Sequence, residues 1–486
     1  MAEVVFNGID AVTGAYITQA TVEQLADWAL AAEERADGAA LKDLLRRHQV
    51  NAEPQLRVEY GLDVGDLAQT GWGVIFAQAD PQAAAIREAL GPLLAHRRQA
   101  AGDLYREYVG DEGYQAGESK LAFLARHQVD VTGSVRPAAM PYYLLLVGSP
   151  EAIPFAFQYQ LDVQYAVGRL HFDTLDEYAA YARGVISAET APAFSHPRRA
   201  VFFSVANPND QATQLSHTHL VTPLATALQA YPDWQVELTL PADALKPRLT
   251  QLLGGDATPG FLFTASHGVR FPDGDPLQLS HQGALLCGEW PGPDPPQPLA
   301  PDWYFAADDL PADACLNGLI AFHFACFSAG TPAENDFEHL QDNMPVRLAP
   351  HPFVAHLPQR LLGHPQGGAL AVIGHVERAW PYAYLWPGAG RQLQVFQEAL
   401  RKLLAGLPVG FALEGFNERY AETAAALTEM LQPYKLLVKL GLEPPLVEKA
   451  RIGGLWTAHN DARSTIILGD PAVRLRPAAQ LPPVAG

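Results

Sequence analysis

The stretch Leu319-Ile-Ala-Phe-His-Phe-Ala-Cys326-Phe-Ser-Ala-Gly330 decides the fold that we predict for this chain. It is a short apolar run closed by glycine, which is typical of a buried central strand in a parallel sheet. A second run, Gly260-Phe-Leu-Phe-Thr-Ala-Ser-His267-Gly268, has the same pattern. Because reactive groups gather at the carboxyl ends of such strands, we expect the thiol of Cys326 and the imidazole of His267 to share one crevice.

The order of the two residues narrows the choice of protein class. His267 comes first, and Cys326 follows 59 residues later, which leaves room for a crossover and a return to the same sheet edge. In caspase-type cysteine peptidases the histidine also precedes the cysteine by about 50 residues. Papain-like enzymes and class I glutamine amidotransferases have the cysteine first.

On these residues the chain resembles caspase-fold (clan CD) cysteine peptidases of the gingipain and CHAT-domain families. Besides the segments around His267 and Cys326, three more segments resemble that group, in the expected order. They are residues 143–154 with Val167-Gly168-Arg169-Leu170, residues 367–374 with Trp380, and residues 466–471. The first of them is similar to the non-nucleophilic α/β subdomain of gingipains. The resemblance covers roughly residues 140 to 475.

The resemblance implies a catalytic dyad. Cys326 would be the nucleophile, and His267 would polarise the substrate carbonyl and protonate the leaving nitrogen, because an imidazole can serve as acid and base near neutrality. The backbone amides of Gly268 and Cys326 would form the oxyanion hole. Each residue alone also fits a structural role, since a lone cysteine in an apolar strand is usually a small buried hydrophobe. The pair and the ordered segments favour catalysis.

The resemblance also implies cleavage after Arg or Lys, which requires a carboxylate at the base of the substrate pocket. Asp162 is the candidate for this carboxylate, and Trp380 for an apolar wall against the stem of the basic side chain. An ordinary turn or cap role for Asp162 stays open. Calcium is considered only because some caspase-fold relatives use it. No His/Cys zinc spacing, EF-hand loop or dinucleotide motif is present in the sequence.

Bulk composition indicates a soluble, cytoplasmic protein that acts on other proteins. The chain has 486 residues, of which 48% are hydrophobic, and no apolar stretch approaches a membrane span. Three cysteines are too few for a disulfide framework and favour a reducing compartment. A formal charge of −20 argues against nucleic-acid binding and leaves a protein or peptide substrate, with an activating protein partner as a further possibility.

We predict an α/β fold, a caspase-like three-layer sandwich with a mainly parallel central sheet in two α/β subdomains. Residues 136–190 would end the first, non-nucleophilic subdomain, residues 198–475 would form the catalytic one, and residues 476–486 a flexible tail. Residues 1–135 have mostly helical patterns, with one strand-like run at Trp72–Phe76. They form either a regulatory extension or a cap that completes the first sheet.

The function expected from these observations is a cysteine endopeptidase, triggered in bacterial defence or signalling. The alternative is a catalytically silent caspase-fold adaptor. Cys287 and Cys315 have no matching histidine motif and are interpreted as structural, and His323 should face away from Cys326 on the same strand. A hydrolase that uses Ser328 is excluded, because the first glycine of G-x-S-x-G is absent.

Overall fold

A ten-stranded sheet forms the centre of the computed structural model, which describes residues 3–4, 6–35, 58–131, 133–191, 196–335, 346–386 and 390–475. The predicted flexible tail, residues 476–486, lies outside the described residues. In chain order the strands are β1 Trp72–Phe76, β2 Tyr105–Tyr108, β3 Tyr143–Val147, β4 Ala166–Leu170, β5 Arg199–Ser204, β6 Gln235–Leu238, β7 Phe261–Ala265, β8 Ile320–Phe324, β9 Ala371–His375 and β10 Thr465–Gly469.

The strands are arranged in the order β2-β1-β3-β4-β10-β9-β8-β7-β5-β6. Every neighbouring pair is parallel except β9 and β10. The sheet therefore consists of two parallel halves that run in opposite directions and meet at this antiparallel pair. The predicted fold class, α/β with a mainly parallel central sheet, is confirmed.

Helices flank the sheet, and several of them match the periodicity of the sequence. Among the helical patterns of residues 1–135, the one at residues 21–34 corresponds to the helix Val22–Arg35. The one at residues 84–98 is divided into two helices before Gly91-Pro92. In chain order the described helices are α1 Val22–Arg35, α2 Leu67–Thr70, α3 Ala83–Ala89, α4 Gly91–Ala101, α5 Lys120–Arg126, α6 Phe155–Asp162, α7 Leu175–Thr190, α8 Gln211–Leu215, α9 Thr222–Leu228, α10 Lys246–Leu252, α11 Gln278–His281, α12 His356–Leu362, α13 Gln394–Leu404, α14 Val409–Ala412, α15 Glu414–Lys439 and α16 Leu446–Ser464.

The register of β7 against β8 positions the two predicted catalytic residues. Ala265 pairs with Phe324, and these two residues are 59 positions apart in the chain. His267 and Cys326 each lie two residues further on, beyond the ends of the paired strands. The spacing in the sequence therefore equals the offset of the strand register, and both residues leave the sheet at the same edge.

Residues 72–108 belong to the first half of the sheet. β1 and β2 pair with each other, and β1 also pairs with β3, so a boundary at 135/136 cuts through this half. Of the two interpretations of residues 1–135, the part from residue 72 onward completes the first sheet. The residues before it contribute short strands elsewhere: Glu3–Val4 pairs with Ala20–Thr21, and Ile9–Asp10 pairs with Val269–Arg270.

A buried ionic network ties the first half to the end of the chain. Asp470, which directly follows β10, accepts hydrogen bonds from the Arg97 side chain at 2.6 Å and from the Trp72 ring nitrogen at 2.9 Å. Arg97 also binds Glu189, and it is only 3% exposed. The network thus fastens the segment after β10 to the outer strands and helices of the first half of the sheet.

We expect Asp470→Ala to destabilise the protein by about 3 kcal/mol or more, because removal of one partner leaves the buried Arg97 charge incompletely compensated. Urea unfolding followed by circular dichroism measures the change. The control is Asp130→Ala, which breaks an exposed pair with Arg136 and should cost no more than about 1 kcal/mol. Equal stability of the two variants would show that the network does not stabilise the fold.

Candidate active site

His267 lies beyond the carboxyl end of β7 and is completely buried. Its Nε2 lies 2.8 Å from Oδ2 of Asp210, which is also buried, and its Nδ1 accepts a 2.7 Å hydrogen bond from the backbone N–H of Gly8. Since Nδ1 is an acceptor, the ring proton is on Nε2 and faces the carboxylate. The imidazole is therefore held in one tautomer and one orientation.

Asp210 is the residue that fixes this orientation. It precedes α8, where its side chain also accepts hydrogen bonds from the Thr213 hydroxyl and from the Tyr16 hydroxyl, the latter at 2.5 Å. Burial alone would raise the pKa of Asp210, but the electrostatic interaction with His267 and these hydrogen bonds outweigh it and lower the pKa to about 2. The carboxylate is thus ionised throughout the physiological range.

Cys326 lies at the start of a tight turn beyond β8. The next residue, Phe327, has a φ of +59°, a backbone conformation that is uncommon for a non-glycine residue and occurs often at functional sites. Sγ of Cys326 donates to the carbonyl oxygen of Asn7 at 3.1 Å and accepts from the Ala379 N–H at 3.3 Å. Burial raises the pKa of the thiol to about 12, so the sulfur is protonated in this conformation.

The chain segment from Phe6 to Ile9 connects the two catalytic candidates. Asn7 provides the carbonyl that contacts Cys326, and Gly8 provides the N–H that contacts His267. These two groups belong to one peptide bond. The thiol and the imidazole therefore meet on either side of the same peptide group, which fulfils the expectation that they share a crevice.

Aromatic side chains close the imidazole off from solvent. Tyr16 and Trp290 each approach the His267 ring edge-on, with ring centroids 5.8 and 5.6 Å away. Trp290 belongs to the Pro- and Gly-rich stretch 271–301, and it packs in one apolar cluster with Ile9 of the amino-terminal segment. The stretch that follows the histidine and the amino-terminal segment thus cover the crevice together.

Two backbone amides, those of Gly268 and Cys326, are predicted to form the oxyanion hole. Neither the N–H of Gly268 nor that of Cys326 makes a hydrogen bond to another described residue. A Cβ atom on Gly268 would lie 1.7 Å from the carbonyl oxygen of Cys326 and 2.8 Å from its nitrogen. Glycine is required here because the two backbones touch, so the two amides are neighbours.

Asp162 does not contact the dyad. It ends α6, is half-buried, and accepts a hydrogen bond from the Val167 N–H. The following strand, β4, is three strands away from β8, about 14 Å at a spacing of about 4.8 Å. The contacts of Asp162 are those of a cap, and its pocket role stays a prediction. Negative charge nearer to the thiol comes from Glu377 and Asp461, whose charges act on the pKa of Cys326.

Trp380, by contrast, lies at the site. Its ring contacts Phe6 edge-on with centroids 5.0 Å apart, and its backbone N–H donates to Asp461 at 2.8 Å. Phe6 directly precedes Asn7, whose carbonyl faces Cys326. Trp380 therefore provides an apolar surface for Phe6, the residue that precedes Asn7 and its contacted peptide group.

The remaining candidates have structural positions. His323 bonds the Thr264 hydroxyl, and burial lowers its pKa to about 4. Ser328 uses its hydroxyl for backbone contacts within the turn. Cys287 is buried and Cys315 is exposed, and neither contacts His267 or Cys326 in the described part of the chain.

Sequence reasoning missed Asp210 and the amino-terminal segment. Asp210 follows Asn207-Pro208-Asn209, which as a sequence indicates only a turn before a helix. Asn7-Gly8 is a common turn pair, and its place in the crevice depends on tertiary contacts more than 250 residues away along the chain. Neither position has a local signal that distinguishes a catalytic role from a loop.

The described residues contain no group of three or more side chains that could hold a metal ion. The same ranges include no helix that is long and apolar enough to cross a membrane. The weak expectation of calcium stays a prediction.

Comparisons with known proteins give distant structural likenesses only. No protein-family model and no curated protein matches the chain. A solved structure described as a protease is 14% identical, with a TM-score of 0.46, over 84% of this chain and 79% of that one. The complex of the pro- and mature domains of Porphyromonas gingivalis RgpB is 13% identical, with a TM-score of 0.40, over 83% and 79%. The Saccharomyces cerevisiae separase–securin complex is 11% identical, with a TM-score of 0.32, over 68% of this chain and 15% of that one.

We expect the stability difference between wild type and Asp210→Asn to depend on pH. The pKa of Asp210 is lower in the folded protein than its ordinary value of about 3.9, so ionisation stabilises the fold above that value. The contribution, about 2 kcal/mol, is complete above pH 5 and is lost as the pH falls through 2. Urea unfolding of both proteins between pH 2 and 7 measures it, and a constant difference would contradict the Asp210–His267 pair.

Proposed function

We propose that the protein is a cysteine endopeptidase in which Cys326 is the nucleophile and His267 the acid–base group. The observation that carries the proposal is the contact of both side chains with one peptide group, that of Asn7 and Gly8. A peptidase must place its sulfur beside the carbonyl and its proton donor beside the nitrogen of the same bond. Among the contacts of the described residues, no side chain from the first half of the sheet takes part in this chemistry.

Asp210 is a positioning residue in this proposal. Its carboxylate holds the proton of His267 on Nε2, which directs Nδ1 at the nitrogen of the bound peptide bond. When Nδ1 takes the thiol proton, the negative charge of Asp210 stabilises the imidazolium. The free amides of Gly268 and Cys326 would receive the carbonyl oxygen as it acquires charge.

The covered site supports a triggered enzyme. Cys326 and His267 are both completely buried, and the thiol is protonated, so no external substrate can reach them while residues 6–9 occupy the crevice. Displacement of that segment would open the crevice and make the thiol easier to ionise. A role in bacterial defence or signalling is implied by the family resemblance alone, and a cytoplasmic location by the three free cysteines.

The proposed preference for external substrates is Arg or Lys before the cleaved bond, as the resemblance implies. Glu377 is paired at 3.5 Å with the buried Arg378, whose positive charge also acts at Cys326. Asp461 is therefore the buried carboxylate that would attract a cationic side chain near the thiol. Trp380 contacts Phe6, the residue before Asn7, and its role as a wall for the basic side chain is proposed from the resemblance. Asp162, at its distance from the dyad, is the weaker candidate for the pocket carboxylate.

We expect Cys326→Ala and His267→Ala each to abolish hydrolysis of peptide substrates, and Cys326→Ala to abolish labelling by an acyloxymethyl ketone probe. The control is Cys315→Ala, which removes an exposed thiol and should leave both readouts unchanged. Fluorogenic peptide turnover and probe labelling are measured on the same preparations. Turnover that persists in Cys326→Ala would refute the proposal, whereas absent labelling together with stable binding of a protein partner would support the silent adaptor.

We expect Asp461→Asn to lower kcat/KM for peptides with Arg or Lys before the bond by about tenfold or more, since one lost charge interaction of about 1.4 kcal/mol corresponds to that factor. Matched peptides with Asn or Gln at the same position should be much less affected. A uniform loss across all four peptides would indicate a structural role of Asp461 and remove its part in specificity.

A further inference from the structure

We propose that the peptide bond between Asn7 and Gly8 is a substrate of this chain's own active site and is cleaved intramolecularly. The inference rests on the proposed peptidase function and specifies a bond that the enzyme acts on. It follows from the position of that bond between Cys326 and His267.

The bond lies between the two groups that would react with it. The thiol of Cys326 lies 3.1 Å from the oxygen of Asn7, and Nδ1 of His267 lies 2.7 Å from the nitrogen of Gly8. The nucleophile is therefore on the carbonyl side, and the proton donor is on the side of the leaving amine. If the thiol and the imidazole had the opposite positions, the imidazole would lie beside the carbonyl and cleavage would be excluded.

The segment is anchored on both sides of the bond. After it, Ile9–Asp10 pairs with Val269–Arg270, the short strand that directly follows the catalytic histidine. Before it, Phe6 packs against Trp380. A bond anchored on both sides at fixed distances from the reacting groups gains the large effective concentration of an intramolecular reaction.

Gly8 is the residue that permits this close approach. Its φ is +108°, and a Cβ atom there would lie 2.4 Å from Cδ1 of Ile17 and 3.2 Å from Sγ of Cys326. Any other residue at position 8 would be strained and would push the segment away from the sulfur. Glycine thus brings the peptide bond to the thiol.

The side chain of Asn7 is consistent with a substrate that leaves after cleavage. It is 1% exposed, and neither its amide oxygen nor its amide nitrogen has a hydrogen-bond partner among the described residues. A buried amide without partners is unfavourable, and release into water restores its hydrogen bonds. The site holds Asn7 through the backbone and not through its side chain. The proximity of the bond to the reacting groups therefore compensates for the absence of the preferred Arg or Lys at this position.

The reaction balances without any co-reactant except water. The thiol proton of Cys326 passes to Nδ1 of His267, and the sulfur forms a bond to the carbonyl carbon of Asn7. The oxygen turns toward the amides of Gly268 and Cys326, the C–N bond breaks, and the proton on Nδ1 passes to the nitrogen of Gly8. Water then hydrolyses the Asn7 thioester, which releases the segment that ends at Asn7 and restores the thiol.

The test is the intact mass and amino-terminal sequence of the full chain at increasing times after cell-free synthesis. We expect a product that begins at Gly8, at a rate independent of protein concentration. Cys326→Ala should stay intact, also when it is mixed with wild type. Gly8→Ala should stay intact because its Cβ displaces the bond, whereas Gly61→Ala, with a φ of +93° at wild type and open space around it, should be cleaved like wild type.

Peptide turnover and probe labelling of the same samples separate this inference from the proposed function. An intact wild-type chain that hydrolyses external peptides would overturn the cleavage of Asn7–Gly8 and leave the peptidase standing, with residues 6–9 as an inhibitor. An intact chain without turnover or labelling would overturn both. Cleavage of Cys326→Ala by added wild type, at the rate of wild type itself, would overturn the intramolecular route.

Discussion

The parallel pairing of β7 with β8 is the constraint on which the rest of the site depends. Ala265 pairs with Phe324, and the chain leaves both strands at the same edge. Two residues later it presents an imidazole from one strand and a thiol from the other. Gly268 allows the backbones beyond the strands to touch, since a Cβ there would overlap the carbonyl of Cys326. The proximity of the two residues is thus a consequence of strand register and one glycine.

The rest of the molecule positions and covers this pair. Asp210, from the loop between β5 and α8, orients the imidazole. The amino-terminal segment binds all three side chains: Gly8 contacts His267, the carbonyl of Asn7 contacts Cys326, and Tyr16 contacts Asp210. A site closed in this way is protected from adventitious chemistry, because the buried thiol stays protonated. In this closed state the peptide group that contacts the sulfur belongs to the protein's own chain, at Asn7.

The sequence was sufficient for the strands and for the positions of His267 and Cys326 beyond their ends, because that signal is local. Buried parallel strands are continuous apolar runs, and the runs that end near His267 and Cys326 could be recognised as such. The offset of 59 residues then followed from the pairing of the strands. Asp210, Asn7 and the antiparallel junction of β9 with β10 depend on contacts between distant segments. Their residues have turn or strand patterns that fit many topologies, so no local signal could identify them.

The prediction of the substrate pocket had the same limit, because it relied on a local sequence pattern. Asp162 was selected from its place in a motif of the first half, yet it lies three strands from Cys326, whereas Asp461, in the helix before β10, acts on the thiol. A carboxylate in a helix gives no sign from the sequence that the fold brings it to a distant strand end.

The most direct measurement of the central claim is a crystal structure of the full chain with Cys326→Ala, which removes the sulfur and preserves the backbone. The account predicts the peptide group of Asn7 and Gly8 in the crevice, with the Gly8 nitrogen within hydrogen-bond distance of Nδ1 of His267 and the Asn7 carbonyl facing the β-carbon of residue 326. Density that shows His267 and residue 326 facing separate compartments, with the amino-terminal segment bound elsewhere, would contradict it.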